Sequence, residues 1–82
     1  MKQNSQIDFL IGVLRARINR FYEEGAYIWS KADVQKDLSN RLETNNPMLL
    51  GALLRWEKSG YIKLGKDDEH FFEVLGPIPK EE

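Results

Sequence analysis

The stretch NNPMLLGALLRWEKSGYI, residues 45–62, contains a helix whose two ends are both marked. Asn46 suits the N-cap because its side-chain oxygen can accept hydrogen bonds from the first free amides. Pro47 suits the first helical position, where no amide hydrogen is needed. Gly60 can adopt the left-handed conformation that ends a helix. The stretch therefore predicts a helix between Pro47 and Gly60, and Tyr61 is expected to fold back over its last turn.

A β-hairpin is predicted after this helix. The run YIKL, residues 61–64, is aromatic and β-branched, which favours a strand. In a second run, Phe72 and Val74 alternate with Phe71, Glu73 and Leu75, as expected for a second strand. Residues 65–70, GKDDEH, form the acidic loop between them.

The N-terminal half predicts a long helix and a short one. The serine-to-acid spacing of SQID, residues 5–8, is that of a capping box, and Gly25 ends the helix after about Glu24. Its core stripe contains Ile7, Leu10, Ile11, Leu14, Ile18, Phe21 and Tyr22. A second capping box, SKAD at residues 30–33, opens the next helix. Its buried face contains Val34, Leu38 and Leu42, and its solvated face contains Lys31, Gln35, Asp37 and Arg41.

Two shorter segments complete the first half. Residues 26–29, AYIW, predict a small edge strand, in which Ile28 points inward if the aromatic side chains face out. Residues 43–45 are expected to form a tight polar turn between the second and third helices, which is the helix-turn-helix arrangement.

These elements resemble a winged helix-turn-helix domain over roughly residues 6 to 75. The run LLRWEKSGYI, residues 53–62, is similar to the winged-helix stretch in which two large apolar residues three apart precede acid-basic-small-Gly-aromatic-Ile. Trp56 stands where leucine is more usual, so a roomier core is expected. The resemblance implies an α+β, mainly α fold of three helices with a small antiparallel β-sheet, in the order α1-β1-α2-α3-β2-wing-β3. Residues 1–76 would form the single domain, and 77–82 a short acidic, proline-containing tail that is extended or frayed.

Composition favours one small soluble domain. The chain has 82 residues, of which 41% are hydrophobic and 30% are charged. It has no cysteine, which excludes disulfides and thiolate metal sites. The longest apolar run, Phe9 to Leu14, is too short to span a membrane, and no signal peptide is recognised around it. A cytoplasmic location is therefore expected.

The sequence lacks the motifs of catalysis, which predicts a non-enzyme with no cofactor, metal or small-molecule substrate. His70 is the only histidine, and its acidic neighbours Asp67, Asp68 and Glu69 are interpreted as a solvated loop. The chain has no glycine-rich phosphate loop and no Ser/His/Asp set of credible spacing.

The leading functional prediction is duplex DNA binding of the transcriptional-regulator type, which rests on what the resemblance implies for the third helix. Arg55 can read guanine, Asn45 or Asn46 can reach a base or phosphate, and Gly51 allows close approach of a backbone. The phosphate contacts are assigned to Lys31, Lys58, Lys63 and Lys66.

The alternative is protein–protein interaction. The acidic loop at residues 65–70, which is the wing of the resemblance, carries three carboxylates whose negative charge would repel phosphate. The net charge of −1 is also not that of a dedicated nucleic-acid binder. Met48 and Leu54 give the third helix an apolar outer face. Phe9 and Val13 lie outside the core stripe of the first helix; cover by the C-terminal strand or tail is favoured there over a partner or homodimer surface.

Overall fold

The computed structural model describes residues 5–80 of the chain, and Ser5 only through its backbone. The helices are α1 (Ser5–Glu23), α2 (Lys31–Asp37) and α3 (Pro47–Lys58). The strands are β1 (Ile28–Trp29), β2 (Ile62–Leu64) and β3 (Phe72–Val74). They form one antiparallel sheet in the order β1-β3-β2. The predicted α+β, mainly helical class and the order of elements are confirmed. The capping role of the Ser5 side chain lies outside the described residues.

The helix ends follow the local signals in the sequence. The Asn46 side chain accepts hydrogen bonds from the amides of Met48 and Leu49, and the predicted capping box of α2 is present. Gly60 has a φ of +89°, and the Tyr61 amide donates back to the carbonyl oxygen of Trp56 at 2.9 Å. These contacts confirm both predicted ends of α3.

The core lies where α1 and α3 meet the inner face of the sheet. Leu14, Ile18, Leu53 and Phe72 are fully buried there. Trp56 is 2% exposed, so the tryptophan at this position fills the core as predicted.

Strand β1 has Trp29 inward and Ile28 outward, the reverse of the orientation expected if the aromatic side chains faced out. Trp29 is buried and stacks on Phe72 with ring centroids 5.9 Å apart, whereas Ile28 is 46% exposed. The indole also meets the edge of the Phe21 ring. Because successive strand residues point to opposite faces, burying the larger aromatic surface of Trp29 turns Ile28 outward.

The second helix is shorter than predicted. Its last helical residue is Asp37, and Ser39 and Asn40 adopt positive φ angles of 56° and 59°. Leu42 is buried from the following loop rather than from the helix. The predicted solvation of Asp37 is also wrong, since its side chain is only 6% exposed and accepts a 2.9 Å hydrogen bond from Arg17.

The C-terminal segment packs on α1. Of the two expected states of the tail, extended or frayed, the frayed one is wrong over residues 77–80. Ile78 is 1% exposed. The Ile78 amide donates to Asn19 Oδ1 at 2.7 Å, and Asn19 Nδ2 donates to the Ile78 carbonyl oxygen at 2.8 Å. Arg15 Nη1 reaches the same carbonyl at 3.4 Å. One asparagine thereby satisfies both backbone polar groups of a buried residue.

Replacing Asn19 by Ala is expected to lower the free energy of unfolding by about 1–3 kcal/mol, because it leaves the buried backbone groups of Ile78 without their main partners. Urea denaturation measures the loss, and hydrogen exchange at the Ile78 amide should accelerate. Lys80→Ala, at an exposed position of the same segment, is the control and should change neither quantity. An Asn19→Ala variant as stable as the parent chain would contradict this role.

Candidate interaction surface

The outward face of α3 comprises the helical residues that point away from the core, namely Pro47, Met48, Leu50, Gly51, Leu54, Arg55 and Lys58. Leu54 is 57% exposed and Leu50 is 37% exposed. They are four residues apart, so their side chains are neighbours along one side of the helix. Met48 is half-buried, so it contributes less open apolar surface than predicted. The exposure of Leu50 adds it to the apolar residues of this face.

Two of the residues predicted to contact nucleic acid, Asn45 and Asn46, lie at the start of α3. They differ in whether their side chains already have hydrogen-bond partners. Asn45 is exposed. The Asn46 side-chain oxygen already accepts from the Met48 amide at 2.9 Å and from the Leu49 amide at 3.4 Å. Asn46 therefore stabilises the helix end, and the same oxygen would have to leave that cap to serve a ligand.

Further along the helix, Gly51, Arg55 and Lys58 lie together on the outward face. Arg55 and Lys58 are exposed, and Gly51 is half-buried. Arg55 Nη1 lies 3.7 Å from the point where a Cβ atom of Gly51 would be, so the guanidinium is already in contact distance of that surface. A ligand approaching Gly51 therefore meets the Arg55 side chain as well.

Lys31 is brought to the loop between β2 and β3, residues 65–71. Its ammonium lies 3.3 Å from Asp68 Oδ1 and 5.7 Å from the centroid of the Phe71 ring. The Lys31 amide also donates to the Asp68 carbonyl oxygen at 3.3 Å. The ammonium of Lys31, which was predicted to contact phosphate, thus forms an ion pair with a carboxylate of the loop. This contact joins the loop to the start of α2.

The same loop has a defined internal geometry. The His70 amide donates to Asp67 Oδ1 at 2.8 Å, and His70 Nδ1 lies 3.3 Å from that oxygen. A Cβ atom on Gly65 would overlap the carbonyl group of His70, so glycine is required for this close approach. The backbone hydrogen bond from His70 lowers the pKa of Asp67 below its ordinary value of 3.8.

The remaining predicted cations, Lys63 and Lys66, are exposed on β2 and the β2–β3 loop. Lys63 is directly opposite Glu73 in the sheet register, which places a carboxylate on the neighbouring strand. The loop itself carries Lys66 against Asp67, Asp68 and Glu69. The exposed surface of the β2–β3 hairpin therefore carries charges of both signs.

On α1, Phe9 is 66% exposed and Val13 is half-buried. Phe9 lies about 140° around the helix from Leu14, and the C-terminal segment packs instead over the flank of Arg15 and Asn19. The favoured expectation, that the C-terminal strand or tail covers this flank, is wrong for Phe9 with respect to residues 5–80. A partner surface here stays a prediction.

Several side chains that bear on function were not identified from sequence. The outward position of Ile28 and the burial of Asp37 depend on contacts between elements distant in the chain. Glu57 is a third case: its carboxylate accepts a hydrogen bond from the Leu64 amide at 3.1 Å, which closes part of the outer edge of β2. For Ile28, the only local signal was the neighbouring Trp29, whose larger apolar surface favours burial.

Within residues 5–80, no cluster of three or more His, Asp or Glu side chains is arranged to hold a metal ion. None of the helices described is both long enough and apolar enough to cross a bilayer. Comparison with protein-family models, curated proteins and solved structures finds no match to this chain.

We expect the Asp67 carboxylate to titrate below 3.8, because the His70 amide binds its deprotonated form. A lowered pKa in the folded chain means that the contribution to stability is fully present above about pH 4 and is lost as the pH falls through the lowered value. NMR titration of the Asp67 carboxyl carbon and the His70 amide measures this, and both signals should move together. An Asp67→Asn variant should remove the His70 response, and a carboxyl that titrates at or above 3.8 would contradict it.

Proposed function

We propose that the chain is a non-enzymatic winged-helix module whose outward face of α3 binds another protein. The winged-helix assignment is supported by the order of the elements, by the glycine turn between α3 and β2, and by a hairpin that pairs with a short first strand. A role in binding rather than catalysis is supported by His70, the one histidine of the sequence, whose ring lies on an exposed loop beside the Asp67 carboxylate.

The observation that carries the protein-binding role is the exposed pair Leu50 and Leu54 on the outward face of α3. Contiguous apolar surface on a small domain marks sites of association, and each fully buried leucine contributes roughly 1.5–3 kcal/mol. In a DNA major groove the same pair would meet mainly polar base edges and the occasional thymine methyl group. A protein partner therefore uses this face better than a duplex does.

The charges of the β2–β3 loop support the same choice. Lys31 is matched by Asp68, and the β2–β3 loop carries three carboxylates against one lysine. Phosphates placed beside that loop would be repelled. Arg55 and Lys58 remain exposed beside the leucine pair, where they suit a polar rim around an apolar centre.

Leu54→Asp is expected to weaken association through this face at least tenfold, because it places a charge at the centre of the apolar contact. The folded state should be little affected, since Leu54 is already more than half exposed. Leu75→Asp is the matched control: it makes the same change at a position that is 50% exposed beyond β3.

Sedimentation velocity measures self-association, and affinity capture with quantified recovery measures partner binding, for the parent chain and both variants. Loss in Leu54→Asp with retention in Leu75→Asp supports the proposal. Equal association by Leu54→Asp and the parent chain, with both folded by circular dichroism, would remove the α3 face from consideration.

Duplex DNA binding remains the second candidate, and one observation favours it. Asn45, Arg55 and Lys58 are exposed along α3, with Lys63 and Lys66 exposed on the adjoining hairpin. With Lys31, six of the eight predicted contact residues are therefore exposed. An exposed helix that carries a guanidinium can present it to guanine. In this case the acidic β2–β3 loop must point away from the phosphates.

Titration with a 20-base-pair duplex of random sequence at low and moderate salt tests this candidate. If the α3 face contacts phosphate, replacing both Arg55 and Lys58 by Ala should reduce the slope of log affinity against log salt by about 2. Arg20→Ala combined with Arg41→Ala removes the same charge from exposed positions elsewhere and should leave the slope unchanged. No binding at low salt, or an unaltered slope in the Arg55/Lys58 variant, would rule out the candidate.

A further inference from the structure

The outer edge of β1 has one residue whose backbone is directed away from the sheet. The Val74 amide donates to the Tyr27 carbonyl oxygen at 2.7 Å, and Ile28 is opposite Glu73 in the register. In an antiparallel ladder, hydrogen-bonded and non-hydrogen-bonded pairs alternate, so the Ile28–Glu73 pair is non-hydrogen-bonded. The N–H and C=O of Ile28 therefore point out of the sheet, and neither has a hydrogen-bond partner among residues 5–80.

At the opposite edge of the sheet, formed by β2, an outward backbone group does have a hydrogen-bond partner. On β2, the outward Leu64 amide is occupied by the Glu57 carboxylate at 3.1 Å. A charged side chain across an edge strand blocks pairing with another chain. In the part of the chain that the structure describes, no charged side chain covers the β1 edge, where Ile28 is 46% exposed and Tyr27 is 47% exposed. The sheet thus has one protected edge and one that can accept a further strand.

A groove of about 510 Å³ adjoins the β1 edge, between α1 and α2. Its walls include Phe21, Ala26 and Trp29, together with Arg17, Lys36 and Asp37. The Asp37 side chain is 94% buried, and while its Oδ1 accepts from Arg17, its Oδ2 is buried with no hydrogen-bond partner among the residues described. A buried carboxylate oxygen without a donor is costly, and a donor supplied by a ligand removes that cost.

We propose that the β1 edge and its groove bind an extended peptide segment of a partner protein, with a lysine or arginine of that segment directed toward Asp37. Backbone hydrogen bonds to Ile28 supply the sheet extension, and the groove selects the side chain, as in other cases of strand addition. The unmet group is an acceptor on a carboxylate, so a cationic donor complements it best. This surface is distinct from the outward face of α3.

The probes are two acetylated and amidated pentapeptides, Thr-Val-Lys-Val-Thr and the same sequence with Glu at the centre, added to the full chain up to about 1 mM. Amide NMR spectra report the site. The Lys peptide is expected to shift the Ile28 amide and its neighbours, and to bind about tenfold more tightly than the Glu peptide. No shift at Ile28, or equal binding of the two peptides, would overturn the proposal.

Ile28→Pro removes the outward N–H without removing a donor from the β1–β3 ladder, so the variant should keep the fold and lose peptide binding. Ile28→Thr is the matched control, because it keeps the amide and a β-branched side chain and should still bind. Asp37→Asn should reduce the preference for Lys over Glu. Binding that persists in Ile28→Pro, or a Lys preference unchanged in Asp37→Asn, would contradict the assignment.

Two further measurements separate this proposal from its competitors. Sedimentation of the chain without peptide tests whether a second copy takes the edge, and a dimer that Ile28→Pro dissociates would overturn the peptide assignment. Leu54→Asp should leave peptide binding unchanged, so failure of the α3 interface and failure of the β1 site give different results.

Discussion

The reversal of the chain at Gly60 is the constraint on which the rest of the structure depends. Its φ of +89° lets the Tyr61 amide return to the carbonyl oxygen of Trp56, so α3 ends against the start of β2. The strand therefore leaves alongside its own helix, close enough for Glu57 to reach the Leu64 amide. This geometry places the hairpin over the core and leaves the opposite side of α3 open.

The features that could be predicted from sequence are those whose causes lie within a few residues. The caps at Ser30 and Asn46 and the glycine turn at Gly60 are local hydrogen-bonding and steric effects, and all are present. The apolar period of α1 indicated its buried face for the same reason. The residues of α3 that do not belong to its buried stripe must face outward, so the outward positions of Leu54 and Arg55 could be predicted from the same period.

The features that were missed depend on contacts between distant parts of the chain. The stack of Trp29 on Phe72 decided which side of β1 is buried, and no rule of alternation chooses between the two sides. The pairing of Asp37 with Arg17 and of Lys31 with Asp68 joins different elements. Charge patterns along one helix do not contain that information, so the pairing of Lys31 with Asp68 could not be predicted from the sequence.

The two hydrogen bonds between Asn19 and Ile78 determine where a segment fused to the C-terminus would be attached to the fold. Because both backbone groups of Ile78 are hydrogen-bonded to one α1 side chain, the C-terminal part of residues 5–80 is attached to that helix rather than to the sheet. For a linker attached after residue 80, the reach to a second domain therefore starts at α1. Tension applied through such a linker would be transmitted to the long helix first, and the hairpin would be shielded from it.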